Sequence, residues 1–285
     1  VTGAGGRLLA AHLAAPLTDA AAIQARHDAV SWFADSSRAR EDLRDRLRAV
    51  PDMARAFTRL TIGRGGPRDL GAVRDGLSVA VDLRALLEAA PDLAADTATA
   101  AADIGEHQVL IDRLARALAD ELPLMSRDGG FIRDGYAPEF DTLRQLRDQS
   151  RKHIAALQAR YVEDTGIASL KIRHNNVLGY FIDVTTVQAE KMPMGEDSPF
   201  IHRQTLASAM RFTTVELGEL EGKLARAGER ALAMELELFD DLVTETAARA
   251  DAISLAADAL ARLDVSAALA ALAIDRRYVR PRVDD

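Results

Sequence analysis

The 285-residue chain contains no cysteine. A disulfide scaffold, a thiolate zinc site and a cysteine nucleophile are therefore excluded. The absence fits a reducing compartment, and a cytoplasmic location is the expectation. Aromatic residues are also scarce, at 5% against 48% hydrophobic overall, so the apolar share is largely Ala and Leu, as in helix-rich proteins. No apolar run is long enough to span a bilayer, and no membrane partner is expected. The stretch 8–16, LLAAHLAAP, superficially resembles a signal-peptide core. His12 inside it, the Gly-rich segment before it and a chain that opens on Val1 rather than Met argue for helix instead. The same opening reads as an excised or processed chain. The formal net charge of −8 excludes a globally basic nucleic-acid binder but leaves room for a local basic surface.

Motifs for catalysis are missing too. Gly3, Gly5 and Gly6 precede a helical pattern, yet no strand comes before them and no Gly-Lys-Ser/Thr follows, so they form no P-loop. Gly63, Gly65 and Gly66 lack the same partners and read as helix punctuation. The six histidines show neither HExxH nor paired ligand spacing, so no metal is expected. Asp240–Asp241 and Asp284–Asp285 read as solvated helix and tail residues. No nucleophile elbow occurs. No catalytic residue, cofactor site or metal site is expected, and the chain itself is read as not an enzyme.

What is present is helical periodicity broken by turn residues. It predicts helices over 7–15, 20–34, 38–50, 51–61, 67–89 and 104–119. Thr18–Asp19 is placed to cap the second, which should bury Ile23, Val30, Trp32 and Phe33. Residues 126–136 are turn-rich. A long helix begins at 137, with an apolar stripe of Phe140, Leu143, Leu146, Ile154, Leu157 and Tyr161. A second long helix carries Leu217, Leu220, Leu224, Ala227, Ala231, Met234 and Leu238 at alternating spacings of three and four, a coiled-coil seam. Thr213 with Glu216 three residues on suggests its capping box. Ala-rich helix resumes over 242–272.

Between these long helices lies the one clearly β-rich segment, 169–212. Leu170, Ile172 and His174 alternate with Lys171 and Arg173. Tyr180, Ile182 and Val184 alternate with Phe181, Asp183 and Thr185. Asn175–Asn176 suits a tight hairpin. Residues 188–199 read as a loop, and 200–205 and 210–213 as further strands. The fold expected is mainly α: a helical core, long antiparallel helices, and a small β-rich insertion at their tip. Lys171, Arg173, His174, His202, Arg203 and Arg211 fall in or beside the strands, with Asn175, Asn176, Gln204, Thr205 and Ser208. Such cations and short polar donors suit phosphate contacts without base reading. Asp183, Glu190, Glu196 and Asp197 nearly balance them, so on charge alone a solvated surface remains open. A coiled-coil scaffold whose β tip binds a protein partner is the alternative reading.

LKIRHNNVLGYFIDV, followed by HRQTLASAMRFTTVEL, resembles the clamp region of the MutS family of DNA mismatch repair proteins. The likeness extends along the chain through GGRLLAAHLAAPLTD, PDMARAFTRLTIGRGGPRDL and RDGGFIRDGYAPEFDTLR, in order. It implies a helical core piece (1–136), an outgoing lever helix (137–168), a clamp (169–212), a returning lever and core piece (213–275), and a tail (276–285) leading towards an ATPase domain. ATP and Mg2+ belong to that ATPase domain in the family. This sequence contains neither its Walker motif nor the Phe-x-Glu of the family's mismatch-reading domain, and so reads as a central piece. The implied partners are double-stranded DNA, mismatch-containing for the whole protein, a second MutS subunit and a MutL-type repair factor. The DNA-backbone set expected is Arg173, Asn175, Asn176, Arg203, Gln204, Thr205, Ser208 and Arg211. Gly179 and Tyr180 match a structural glycine–tyrosine pair. Ala207 and Ser208 stand where many members carry lysine and asparagine, which removes one cation.

Overall fold

The computed structural model describes residues 1–175, 177–195 and 198–283, with the side chain at 150 also outside the description. Asn176, Glu196, Asp197, Asp284 and Asp285, all named above, therefore lie outside the described residues. The chain folds as two compact units, Val1–Arg133 with Leu236–Asp285, and Asp134–Glu235. It is mainly helical, with a small antiparallel sheet inserted in the second unit.

In the first unit the helices are α1 (Gly3–Ala14), α2 (Ala20–Asp35), α3 (Ser37–Arg48), α4 (Met53–Thr61), α5 (Pro67–Glu88), α6 (Ala95–Asp103) and α7 (Gln108–Ala117). α1 starts at Gly3, four residues before the expected helix at 7, so Gly3, Gly5 and Gly6 lie within its first turns rather than before it, whereas Gly63–Gly66 separate α4 from α5 as expected. Local chemistry explains the boundaries. Asp19 caps α2 by accepting from Ala22 N at 2.7 Å, and Asp52 caps α4 by accepting from Arg55 N. The predicted 104–119 helix starts late, at Gln108, because Gly105 adopts φ 70° and breaks the ladder. It also ends early. Residues 117–119 instead pair with 131–133, through Ala119 N to Phe131 O and Arg133 N to Ala117 O, both 2.8 Å. The turn-rich stretch after Pro123 is thus a return leg. Of the four side chains expected inside α2, only Phe33 is fully buried, beside Ala29. Trp32 lies half-buried because its indole N–H reaches out to Pro91 O at 3.3 Å.

The Ala-rich C-terminal helix α11 (Ala250–Arg276) is the centre of this unit and touches α1 to α6. Small side chains let so many neighbours approach. Its Asp264 is 1% exposed and accepts from Thr2 N and Thr2 Oγ1 at 2.6 and 2.7 Å. A β-carbon on Gly5 would stand 2.3 Å from that carboxylate, so only glycine fits there.

In the second unit, α8 (Pro138–Thr165) leads to the sheet and α10 (Val215–Ala247) leads away. α10 continues into the first unit beyond Glu235. The sheet has β1 (Lys171–Asn175), β2 (Gly179–Thr185), β3 (Ile201–Thr205) and β4 (Ala209–Thr213), in the order β1-β2-β4-β3. One helical turn, α9 (Thr186–Ala189), runs into the first two residues of the stretch 188–199 expected to be loop. One face of the sheet packs Leu170, Ile182, Val184 and Phe212 against Leu157 and Tyr161 of α8 and Leu217 of α10. Alternation with period two put those residues on one face.

Three expectations shift. Leu146 is 50% exposed, in a stretch of α8 where its neighbours are charged or amide residues. Thr213 does not cap α10, because it remains paired with Ile201 in the sheet. Thr214 does so, accepting from Leu217 N at 3.0 Å, and Glu216 pairs with Arg160 of α8. Along the α10 seam Leu217, Ala227 and Ala231 are buried and Leu220, Leu224, Met234 and Leu238 half-buried, and beyond Ala231 it is Glu235 and Phe239 that are buried. A helix of 3.6 residues per turn drifts about 20° per heptad from a strict 3.5 repeat, so the buried line moves to the next residue.

Candidate nucleic-acid interface

The two hairpin turns of the sheet differ in kind. At the first, Asn175 Oδ1 accepts from Val177 N at 2.9 Å and Leu178 N at 2.7 Å. This side chain closes its own turn. The chain then re-enters the sheet through Gly179 at φ 69°. Tyr180 N donates to Glu221 Oε1 of α10 at 3.2 Å, which seats this end of the sheet against the helix. Ile172 N, on the edge strand β1, donates to Gln158 Oε1 of α8 at 2.8 Å. That edge is covered from the helix side.

The second hairpin, β3–β4, lies at the other end. Thr185 is paired with Ala209, while Asn175 is paired with Gly179. The turns are thus separated by the length of β2, about 20 Å at 3.3 Å per residue. The register therefore does not bring Asn175 together with Arg203 and Ser208. All of β3 is exposed, and so are Ala207 and Ser208. A bulge between His202 and Gln204 leaves Arg203 without a directly opposed residue. Among the described residues Arg203 makes no side-chain hydrogen bond or ion pair. The Thr205 hydroxyl meets His202 Nε2 at 2.9 Å. Thr186 ties the turn to α9 through Ser208 O at 3.3 Å.

Arg173 and Arg211 belong to the outer face of the sheet. Each faces a different oxygen of Asp183, at 3.4 and 3.6 Å. Arg211 also donates to Gln204 Oε1 at 2.9 Å and stacks over the Phe181 ring at 4.5 Å. Phe181 is only 4% exposed although its face points away from the helices. Asp183 stood in the sequence as one local acid among several. Its position opposite an arginine becomes visible only with strand register. Gln158 and Glu221, which hold the sheet from α8 and α10, carry no sequence signal of that role.

At the base of the insertion, Tyr161 Oη lies 2.6 Å from Thr214 Oγ1 in a buried contact. Burial pushes the Tyr161 phenol above its ordinary pKa, partly offset by the Thr214 hydrogen bond. Among the described residues no group of three or more His, Asp or Glu is placed to hold a metal. No described helix is long and apolar enough to cross a membrane.

These features define a helical scaffold whose two long helices bracket a small antiparallel sheet with an exposed polar hairpin. Residues 1–270 match the family model described as MutS domain III. The chain belongs to the MutS family. It is 54% identical over its whole length to the DNA mismatch repair protein MutS of Rhodopseudomonas palustris (strain BisB5), of which the match covers 31%. It is 53% identical to the protein of that name from Nitrobacter hamburgensis, of which it covers 32%, and 55% identical to that of R. palustris (strain BisA53), also 32%. The chain thus spans about a third of the length of the curated relatives it matches.

Proposed function

We propose that this chain is the non-catalytic lever and clamp part of a DNA mismatch repair ATPase, and that its β insertion holds the sugar–phosphate backbone of duplex DNA. One observation carries the reading for the clamp. In a chain of net charge −8, Arg203 stands exposed on a bulged edge strand, unpaired among the described residues, beside exposed Gln204, Thr205 and Ser208. A guanidinium and short donors so arranged suit phosphate oxygens and read no bases. Arg173 and Arg211 add charge on the outer face. Asn175 would contribute through the β1–β2 hairpin, as would Asn176, which lies outside the described residues. ATP and Mg2+ chemistry, a second subunit and a MutL-type repair factor are assigned to the longer protein, with the lever helices coupling its ATPase to the clamp.

Fluorescence anisotropy with a labelled duplex at low salt tests this reading. The expected result is weak, sequence-independent binding that salt abolishes. Arg203→Glu should reduce it at least several-fold. Undiminished binding by Arg203→Glu, or binding that does not respond to salt, overturns the assignment.

A further inference from the structure

The outer face of the sheet carries a row of side chains that strand register sets side by side. Lys171 opposes Asp183, Asp183 opposes Arg211, and Arg211 opposes Gln204. Directly opposed residues share a face. In the adjoining row Arg173 opposes Phe181. Three cations thus surround one carboxylate, in a chain that is acidic as a whole.

The carboxylate engages its two arginines loosely. Its contacts of 3.4 and 3.6 Å to the Nε atoms exceed the 2.7–2.9 Å typical of charge-assisted hydrogen bonds. Arg211 Nε is shielded from solvent yet has no hydrogen-bond partner. The rest of Arg211 is held firmly, by Gln204 and by the Phe181 ring. Arg173 remains 58% exposed, and Lys171 is exposed beside it. One guanidinium is therefore held in place, one stands exposed at the rim, and the single acid between them satisfies neither.

We infer that the outer face is a phosphate-receiving surface in which Asp183 acts as a built-in competitor, so that this one residue sets how lightly the clamp holds a duplex. This rests on the reading of the insertion as a DNA-backbone surface, adds Asp183 to it and places Lys171 beside the two arginines. A phosphodiester presents two anionic oxygens and one negative charge, as the carboxylate does. A phosphate arriving between Arg173 and Arg211 takes over their donors and is repelled by Asp183. Lys171, directly opposite Asp183, adds a third cation beside the arriving phosphate.

The test compares duplex binding by the chain and its variants across salt concentration. Asp183→Asn keeps size and an acceptor oxygen for the arginines, and thermal unfolding checks that it folds. It should tighten binding to a duplex of about 30 base pairs roughly 5- to 10-fold, with a salt slope steeper by about 1. Lys171→Gln should weaken binding about 3-fold and flatten the slope. Adding Arg173→Gln and Lys171→Gln to Asp183→Asn should erase its gain. If Arg203→Glu abolishes binding while Asp183→Asn and Lys171→Gln leave affinity and slope unchanged, this inference fails and the clamp reading stands. An Asp183→Asn chain that folds normally and binds more weakly overturns the inference as well. If neither the chain nor Asp183→Asn binds duplex at about 50 mM salt, both readings fail together.

Discussion

Glu221 on α10 stands where a side chain on Gly179 would have to go. Its Oε1 accepts from Tyr180 N at 3.2 Å, and a β-carbon on Gly179 would lie 1.9 Å from the same oxygen. Glycine is needed there twice over, since φ is 69°. The left-handed conformation costs an L-residue about 1–2 kcal/mol, and displacing Glu221 forfeits a hydrogen bond worth about 1. Gly179→Ala should therefore loosen the sheet by about 2–3 kcal/mol, read as faster hydrogen exchange of the β1 and β2 amides. Glu221→Ala should cost about 1 kcal/mol, and the double variant should lose less than the sum of the two single losses. Full additivity would show that the two residues are not coupled.

Tyr161 and Thr214 tie the end of α8 to the start of α10. The contact is buried, and the same Thr214 hydroxyl caps α10 through Leu217 N. Tyr161→Phe removes one hydrogen bond and keeps the ring against Phe200, for a cost of about 1 kcal/mol. Thr214→Val removes the cap as well and leaves the Tyr161 hydroxyl buried without its partner. Its cost should be larger, about 2–3 kcal/mol. Equal losses in urea-induced unfolding would rule out the double role for Thr214.

Much of this architecture is legible in the residues, and the gaps have physical causes. Helix limits follow from local chemistry, so Pro16, Asp19 and Gly63–Gly66 mark them without tertiary information. Strand faces follow from alternation, which set Ile182 and Val184 on one face and Phe181 and Asp183 on the other. Pairing between strands is a property of the folded sheet. The sequence therefore names Arg173, Asp183 and Arg211 but does not show that one carboxylate faces both arginines. Nor does it show that the Asn175 and Ser208 turns lie at opposite ends. The buried line of α10 shifts after Ala231 to Glu235 and Phe239 because a heptad pattern assumes a supercoil that the helix does not keep up.

Acid should destabilise the helical unit in two steps. His107 is 4% exposed, and its Nε2 lies 2.7 Å from Ile104 O. Burial lowers its pKa, against the Ile104 hydrogen bond and with help from the charge of Arg249. Its folded value lies below the unfolded value of about 6.5, so the unfolded chain takes up the proton first as pH falls. Stability is flat above that point, declines below it and levels off beneath the folded value. His107→Gln should shrink this limb, to which His12, lowered chiefly by burial, also contributes. Asp52 supplies the second. The Arg7 hydrogen bond lowers its pKa, burial opposes this, and Arg55 N adds to the lowering. Its contribution is complete above about 3.9 and is lost as pH falls through the folded value. Thermal midpoints across pH should lose that limb in Asp52→Asn. A profile unchanged by both substitutions would contradict these assignments.

Arg203 and Arg211 belong to one proposed surface yet should fail differently when truncated. Arg203 is exposed on the bulge and makes no side-chain bond among the described residues, so Arg203→Ala should leave stability within about 0.5 kcal/mol of the parent. Arg211 covers the Phe181 ring and holds Gln204 on the edge strand. Arg211→Ala removes a stacking contact worth about 0.5–2 kcal/mol and a hydrogen bond worth about 1, and uncovers an aromatic ring. It should loosen β3 and β4 by about 2 kcal/mol in hydrogen exchange. Arg211→Lys should not rescue it, since an ammonium cannot stack and reach Gln204 together. Duplex binding then separates the roles. Arg203→Ala should lose affinity at full stability, whereas Arg211→Ala should lose affinity and sheet protection together. If Arg203→Ala loosens the sheet as much as Arg211→Ala does, the bulge has a structural role and Arg203 is no longer a free phosphate ligand.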